Sequence, residues 1–227
     1  MSVLALDTAT AATAVAVLRS DGIAFEGRHE PAPGERPGHA TQVLGLVEEA
    51  MAAARVTPEQ LRLVAVGTGP GSFTGLRIGV STARALAQGW GVPVAGCSTL
   101  RALAAGAGED DAAVLAVLDA RRGEAFAAAW AGDTCLLAPA ALSPEALARA
   151  VARLPVDALA VGDGAVRFRA QLEPAGASIP PDGDPLHRVS ARHHCRLVIA
   201  AEGAGRDPVL PEYLRLPDAE IARRHRT

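Results

Sequence analysis

An apolar run, Leu63-Val64-Ala65-Val66, leads directly into Gly67-Thr68-Gly69-Pro70-Gly71-Ser72 and then into a long stretch of small and apolar residues reaching Gln88. The apolar run predicts a buried strand, and Gly69 and Gly71 around Pro70 predict a tight turn. Ser72 is placed to cap a following helix. A strand, glycine loop and helix N-terminus in that order aim backbone N–H groups and a positive dipole end at whatever sits above them. The same glycines would serve equally for a tight connection.

Around this junction the chain reads as alternating strands and helices. Val3 to Asp7, Thr13 to Arg19 and Ile23 to Gly27 predict a three-stranded meander with a hairpin turn at Asp21-Gly22. After a proline- and glycine-rich loop from Glu30 to Gly38, His39 to Arg55 predicts a helix whose apolar positions cover about half its circumference, wider than the ~100° stripe needed to pack on one core. Val92 to Gly96 predicts a strand and Ser98 or Thr99 to Ala105 a helix. The small acidic segment Gly106 to Asp111 then marks a lobe boundary, with residues 1–105 forming one lobe and 106–217 the other. Ala112 to Asp119, Glu124 to Trp130 and Thr134 to Leu137 predict three more strands. Ser143-Pro144-Glu145 opens a helix to Arg153. Leu159-Ala160-Val161 leads into a second strand–glycine–helix junction at Gly162-Asp163-Gly164. Glu173 to Arg188 reads as a surface excursion, and Ser190 caps a helix to Glu202. Asp218 to Thr227 reads as a frayed tail.

Residue content removes several function classes. Every cationic side chain other than histidine is arginine, and asparagine is absent too. A phosphate-loop or Schiff-base lysine and a magnesium-binding asparagine are therefore excluded, and with them the P-loop and protein-kinase mechanisms. A net charge of −3 carries no general footprint for nucleic acid. Without a long apolar run or a basic leader the expectation is a cytoplasmic protein that does not engage membranes. Cys97, Cys135 and Cys195 are odd in number and widely spaced, and read as buried small hydrophobes rather than a disulfide or zinc framework. His193-His194-Cys195 cannot converge on a metal from one turn of helix, so no metal site is expected.

The motif Gly67 to Gly79, the opening Leu4 to Thr10, Asp119-Ala120-Arg121-Arg122-Gly123-Glu124, Gly162 to Ala165 and Pro211-Glu212-Tyr213-Leu214-Arg215 together resemble the bacterial TsaB (YeaZ) family along nearly the whole chain. The resemblance implies an α/β protein of two lobes with the actin-like ATPase and sugar-kinase fold in degenerate form, the late helix packing back on the first lobe. It implies a non-catalytic scaffold in the making of threonylcarbamoyladenosine in tRNA, with a TsaD-like catalytic subunit and a TsaE-like ATPase as partners and tRNA met only through the complex. In the related TsaD family a histidine pair binds metal where this chain has Cys97-Ser98-Thr99-Leu100-Arg101. A small-molecule phosphotransferase of the same fold and a glycoprotease-like peptidase are the alternatives.

In that fold the nucleotide site would comprise Asp7, Thr8 and Thr10 on the first hairpin, Gly69, Gly71 and Ser72 on the loop, and Gly162, Asp163 and Gly164. Ala9, Ala11 and Ala12 crowd the hairpin, so the site reads as degenerate, with ATP or ADP held at most at an interface with the catalytic partner. Asp119, Arg121 and Glu124 read either as a binding triad or as an ion-paired turn. His39 reads as structural. Gly75, Gly79 and Ala83 recur every four residues along one helix face, and two mid-helix glycines need a reason such as close approach of a neighbour. With the wide apolar face of the earlier helix they predict a partner interface of His39, Val43, Leu46, Val47, Ala50, Phe73, Thr74, Gly75, Arg77, Ile78, Gly79, Thr82 and Ala83, used in a homodimer or against the catalytic partner.

Overall fold

Two five-stranded sheets carry the architecture, seen in a computed structural model that describes residues 1–32, 34–108, 113–201 and 209–214. The first sheet holds β1 (Ser2–Asp7), β2 (Thr13–Leu18), β3 (Ala24–His29), β4 (Leu61–Gly69) and β5 (Val94–Ser98) in the order β3-β2-β1-β4-β5. Its meander β1-β2-β3 is antiparallel, and β4 and β5 add on in parallel. β1 and β2 are buried along their whole length because helices cover both faces. On one face lie α1 (His39–Ala54) and α2 (Phe73–Trp90), and on the other α7 (Ala191–Ala200).

The second sheet repeats this plan. It contains β6 (Ala113–Arg121), β7 (Glu124–Ala131), β8 (Thr134–Leu142), β9 (Ala158–Val161) and β10 (Ala177–Ser178), ordered β10-β9-β6-β7-β8. Read from the other edge, an antiparallel meander of β6, β7 and β8 is again extended by two parallel strands. α4 (Pro144–Val151), α5 (Asp163–Arg167) and α6 (Arg169–Leu172) pack on this half. α3 (Thr99–Gly106) joins the two, with Leu100 and Leu103 in one cluster with Leu118, Phe126 and Trp130.

Several elements depart from their expected bounds. β8 runs on through Pro139 to Leu142, beyond the expected Leu137, because it is an edge strand and its partner β7 changes register between Ala127 and Ala129. The excursion after Glu173 contains β10 and a 3₁₀ turn at Pro185–His187. Of the three cysteines only Cys195 is buried; Cys97 is partly exposed and Cys135 exposed. The stretch expected as a tail, 218–227, lies outside the described residues, as do 109–112 of the expected boundary. Among the described residues no helix is long and apolar enough to cross a membrane.

The stripe on α2 has its neighbour inside the chain. A Cβ at Gly75 would overlap the carbonyl oxygen of Thr8, one at Gly79 the Thr8 hydroxyl, and Ala83 is fully buried in the first core. Thr8 in turn donates its hydroxyl to the Gly75 carbonyl at 2.7 Å. The close approach expected between helices of different chains is that of α2 to the β1–β2 hairpin. His39, Val43, Leu46, Val47 and Ala50 are likewise buried, and α1 packs on β2, β3 and α2. These eight residues present no surface to a partner. Phe73, Thr74, Arg77, Ile78 and Thr82 remain exposed or half-exposed on α2.

Candidate functional site

Between the sheets opens a cleft of about 550 Å³. Its walls are the β1–β2 turn at Ala9 to Ala11, the loop at Gly71 to Thr74, the end of β6 at Leu118 to Arg121, Phe126, Asp163, and the segment Glu212 to Leu214. Of the nine residues expected to hold nucleotide, the fold brings Thr10, Gly71, Ser72 and Asp163 to this cleft. It takes Asp7, Thr8, Gly69, Gly162 and Gly164 out of solvent.

The loop glycines serve the chain's own backbone. Gly69 has a φ of 102° and leads through a cis peptide bond to Pro70. A Cβ on Gly71 would overlap Ala9, whose carbonyl accepts from Ser72 N at 2.7 Å. The space over this loop therefore holds the β1–β2 hairpin. Ser72 caps α2, its hydroxyl accepting from Gly75 N at 3.3 Å. At the second junction Gly162 has a φ of 110°, and a Cβ there would overlap the Val117 carbonyl.

Asp7 is 1% exposed and has three partners. One carboxylate oxygen accepts from Ala9 N at 2.8 Å. The other accepts from the Thr99 hydroxyl at 2.8 Å and stands 2.9 Å from His194 Nε2, a short but off-line approach that acts chiefly as an ion pair. Burial opposes both charges. The pairing outweighs it, lowering the Asp7 pKa and, with Cys97 beside the ring, raising that of His194 to about 10. His193, next in the chain, is pushed down to about 4 by burial and by Arg192 and Arg196. Nothing in the spacing of Asp7 and His194 announces the pair; the buried face of α7 creates it. His39 is also buried, its Nδ1 sharing a hydrogen with the Thr13 hydroxyl at 2.8 Å, and burial lowers its pKa.

On the second lobe Asp119 stands near the end of β6, and its side chain is held from two directions. One of its oxygens accepts from Arg121 N at 2.9 Å, and the other takes the Arg167 guanidinium at 2.7 Å. Arg121 and Arg122 adopt left-handed backbone at φ 65° and 53°. Asp163, exposed at the cleft surface, accepts from Asp119 N at 3.0 Å, and the protein packed around its carboxylate, with Asp119 beside it, raises its pKa. Burial also raises the pKa of Glu212. The cleft thus sets Asp119, Asp163 and Glu212 beside Arg121. Among the described residues no three histidine, cysteine or acidic side chains are grouped so as to hold a metal ion.

The segment Glu212 to Leu214 is the part of the cleft wall that neither periodicity nor capping signals announce. Glu212 N donates to the Thr68 carbonyl at 2.7 Å. The Tyr213 ring lies 5.1 Å from that of Phe73, and Arg77 covers Phe73 at 3.9 Å. Leu214 reaches the apolar cluster of β6, β7 and α3.

The model of the family TsaD, tRNA N6-adenosine threonylcarbamoyltransferase, matches residues 35–161. The Escherichia coli tRNA threonylcarbamoyladenosine biosynthesis protein TsaB is 36% identical over 174 residues, 72% of each chain. The chain belongs to the TsaB (YeaZ) family. YeaZ from Pseudomonas aeruginosa superposes with a TM-score of 0.76 at 27% identity, over 94% of this chain and 99% of that one. The ROK hexokinase of Thermus thermophilus, 14% identical with a TM-score of 0.50 over 88% of this chain and 99% of its own, shares the fold alone. This TsaB-family chain therefore has the actin-like ATPase and sugar-kinase fold.

Proposed function

We propose that this chain is a non-catalytic subunit of the assembly that makes threonylcarbamoyladenosine in tRNA. It binds a TsaD-like catalytic subunit and a TsaE-like ATPase, and meets tRNA only through the complex. The observation that carries the reading is the fate of Asp7. In a phosphotransferase of this fold a carboxylate at the first hairpin would have to face phosphate or its metal. Here both oxygens are committed to Ala9 N, Thr99 and His194, and the hairpin backbone fills the loop beneath. Replacing those partners would leave a buried charge unpaired. Nucleotide, where it is met, is met at a surface completed by the catalytic partner.

The surface offered to that partner, or to a second copy when the chain is alone, is the outer face of α2: Phe73, Thr74, Arg77, Ile78 and Thr82. Ile78→Arg puts a charge at its centre without touching the core, and should weaken capture of the TsaD-like subunit by roughly ten-fold or more, as a central interface position does. Circular dichroism should be unchanged. Full retention of binding moves the interface elsewhere. Calorimetry of the isolated chain with ATP should show no heat of binding; tight binding with turnover of a small alcohol or acid would replace the scaffold by a phosphotransferase.

A further inference from the structure

The short segment from Val209 to Leu214 touches both halves of the molecule. Val209 packs on the first core, over Gly96 of β5. Thr68 falls where β4 and β5 slip register, and its carbonyl accepts from Glu212 N at 2.7 Å. The Glu212 carbonyl in turn lies over Gly69, where a Cβ would stand 3.2 Å from it. Tyr213 turns to α2. Its ring lies 5.1 Å from that of Phe73, and its hydroxyl accepts from Arg77 Nε at 3.3 Å. Leu214, the next residue, goes the other way, into the apolar cluster that β6, β7 and α3 form on the second half. Glu212, Tyr213 and Leu214 thus cross the cleft as part of its wall. Among the described residues this strap has one backbone hydrogen bond to the rest of the fold, so it belongs with the segments that open locally far more easily than the fold as a whole. Tyr213 is 43% exposed, and with Phe73 and Arg77 it makes a continuous patch on the outer face of α2.

We propose that residues 209–214 are a clasp that couples the outer face of α2 to the cleft, and that the subunit docking on that face binds the clasp in its closed form. The inference rests on the reading of that face as the docking surface for the TsaD-like subunit. Tyrosine and arginine are the side chains that most often anchor an interface. Here they form one surface with Phe73 only while Tyr213 lies against α2. With the clasp open, Arg77 loses its acceptor and Phe73 its neighbouring ring, and a partner meets an incomplete patch. The partner therefore has a higher affinity for the closed form and shifts the chain towards it. Tyr213 stands between Glu212 and Leu214 in the chain, so fixing it also fixes the wall of the cleft. Such coupling is reciprocal: holding Leu214 on the second half strengthens docking on α2, a face of the first.

Amide hydrogen exchange followed by NMR tests the clasp in the free, full-length chain. Tyr213→Ala and Leu214→Asp, at its two ends, should each speed exchange of the Glu212 amide about ten-fold or more and leave the amides of β1 unchanged. A Glu212 amide that responds to only one of them, or to neither, would overturn the clasp as a unit. Adding the TsaD-like subunit to the wild-type chain should slow exchange at Glu212 about ten-fold or more, because a chain bound in the closed form cannot open. Leu214→Asp places a charge in the apolar cluster and should weaken capture of the subunit about three-fold or more, by the closed fraction that is lost. Exchange at Glu212 that is as fast in the complex as in the free chain would overturn the coupling. So would full-strength capture of a Leu214→Asp chain whose Glu212 amide has lost its protection. Should Leu214→Asp not fold by circular dichroism, Tyr213→Ala and the wild-type complex decide. If the wild-type chain does not bind the subunit at all, the docking reading falls and the coupling with it, and exchange in the free variants still decides the clasp.

Discussion

Asp7 and Asp119 occupy the same station in the two halves of the molecule. Each stands near the end of the strand that opens a meander, pairs across to the second strand at Ala14 or Ala125, and accepts a hydrogen bond from the backbone N–H two residues on. The remaining oxygen goes to a cation in both cases, His194 for Asp7 and Arg167 for Asp119. The difference lies in what closes over them. In the first half the glycine loop packs on Thr8 and Ala9, beyond the acid, and seals it in. In the second it packs on Val117 and Leu118, before the acid, and leaves Asp119 and Asp163 lining the cleft. A strand, glycines and a helix are thus equally compatible with a sealed junction and an open one; where the glycine meets the hairpin decides which.

Asp7→Asn, at the sealed junction, is the most damaging of these changes. It removes the charge that His194 was buried against, and breaking one side of a buried pair costs about 3–5 kcal/mol. Urea unfolding should show the loss as a lower midpoint with an unchanged slope. The same pair gives a pH signature. The His194 pKa is raised from 6.5 to about 10 in the folded chain, so between those values the folded state binds the extra proton. Its contribution is complete below pH 6.5 and is lost as pH rises through about 10, with a slope of at most about 1.4 kcal/mol per pH unit. Asp7→Asn should flatten this alkaline decline. A decline of equal steepness in the variant would assign it to another group.

The glycines of α2 sharpen the contrast at smaller scale. Gly75→Ala drives a methyl into the Thr8 carbonyl, a backbone atom that cannot turn aside, and should cost about 1–3 kcal/mol. Gly89 lies on the same helix with open space around it, so Gly89→Ala should gain about 0.5–1 kcal/mol from helix propensity alone. Equal effects at the two positions would mean that the hairpin does not press on α2.

Much of this was legible beforehand. The opening meander, the glycine loop after β4, the Ser72 cap and the Ser143-Pro144 helix start are local signals, each carried by a few adjacent residues, and they lie where periodicity and capping place them. What local signals do not carry is the identity of a neighbour. The four-residue spacing of Gly75, Gly79 and Ala83 correctly implies a close approach on one face, yet it cannot distinguish the β1–β2 hairpin from a helix of another chain. The Asp7–His194 pair is invisible for the same reason, since it depends on α7 returning to the first sheet and turning His194 inward. The shared plan of the two sheets leaves no repeat visible in the residues, because strand order constrains burial and spacing more than identity.

The smallest effect tests the comparison most directly, because it applies the Asp7 substitution to its counterpart. Asp119→Asn keeps a side-chain oxygen for Arg121 N and a volume the cleft already accommodates. It loses the charge facing Arg167, in a pair whose side chains are 46% exposed for Arg167 and 16% for Asp119. Water and salt screen such a pair, and its removal should cost less than about 1 kcal/mol. Near neutral pH Asp163 stands beside Asp119, and removing one of two neighbouring carboxylates relieves a repulsion that partly offsets this loss. Urea unfolding of Asp7→Asn and Asp119→Asn side by side, at low and high salt, should therefore give a large salt-independent loss for the first and a small salt-dependent change for the second. Comparable losses would mean that Asp119 is held in an interior as dry as that of Asp7, and the cleft between the sheets would then have to be closed.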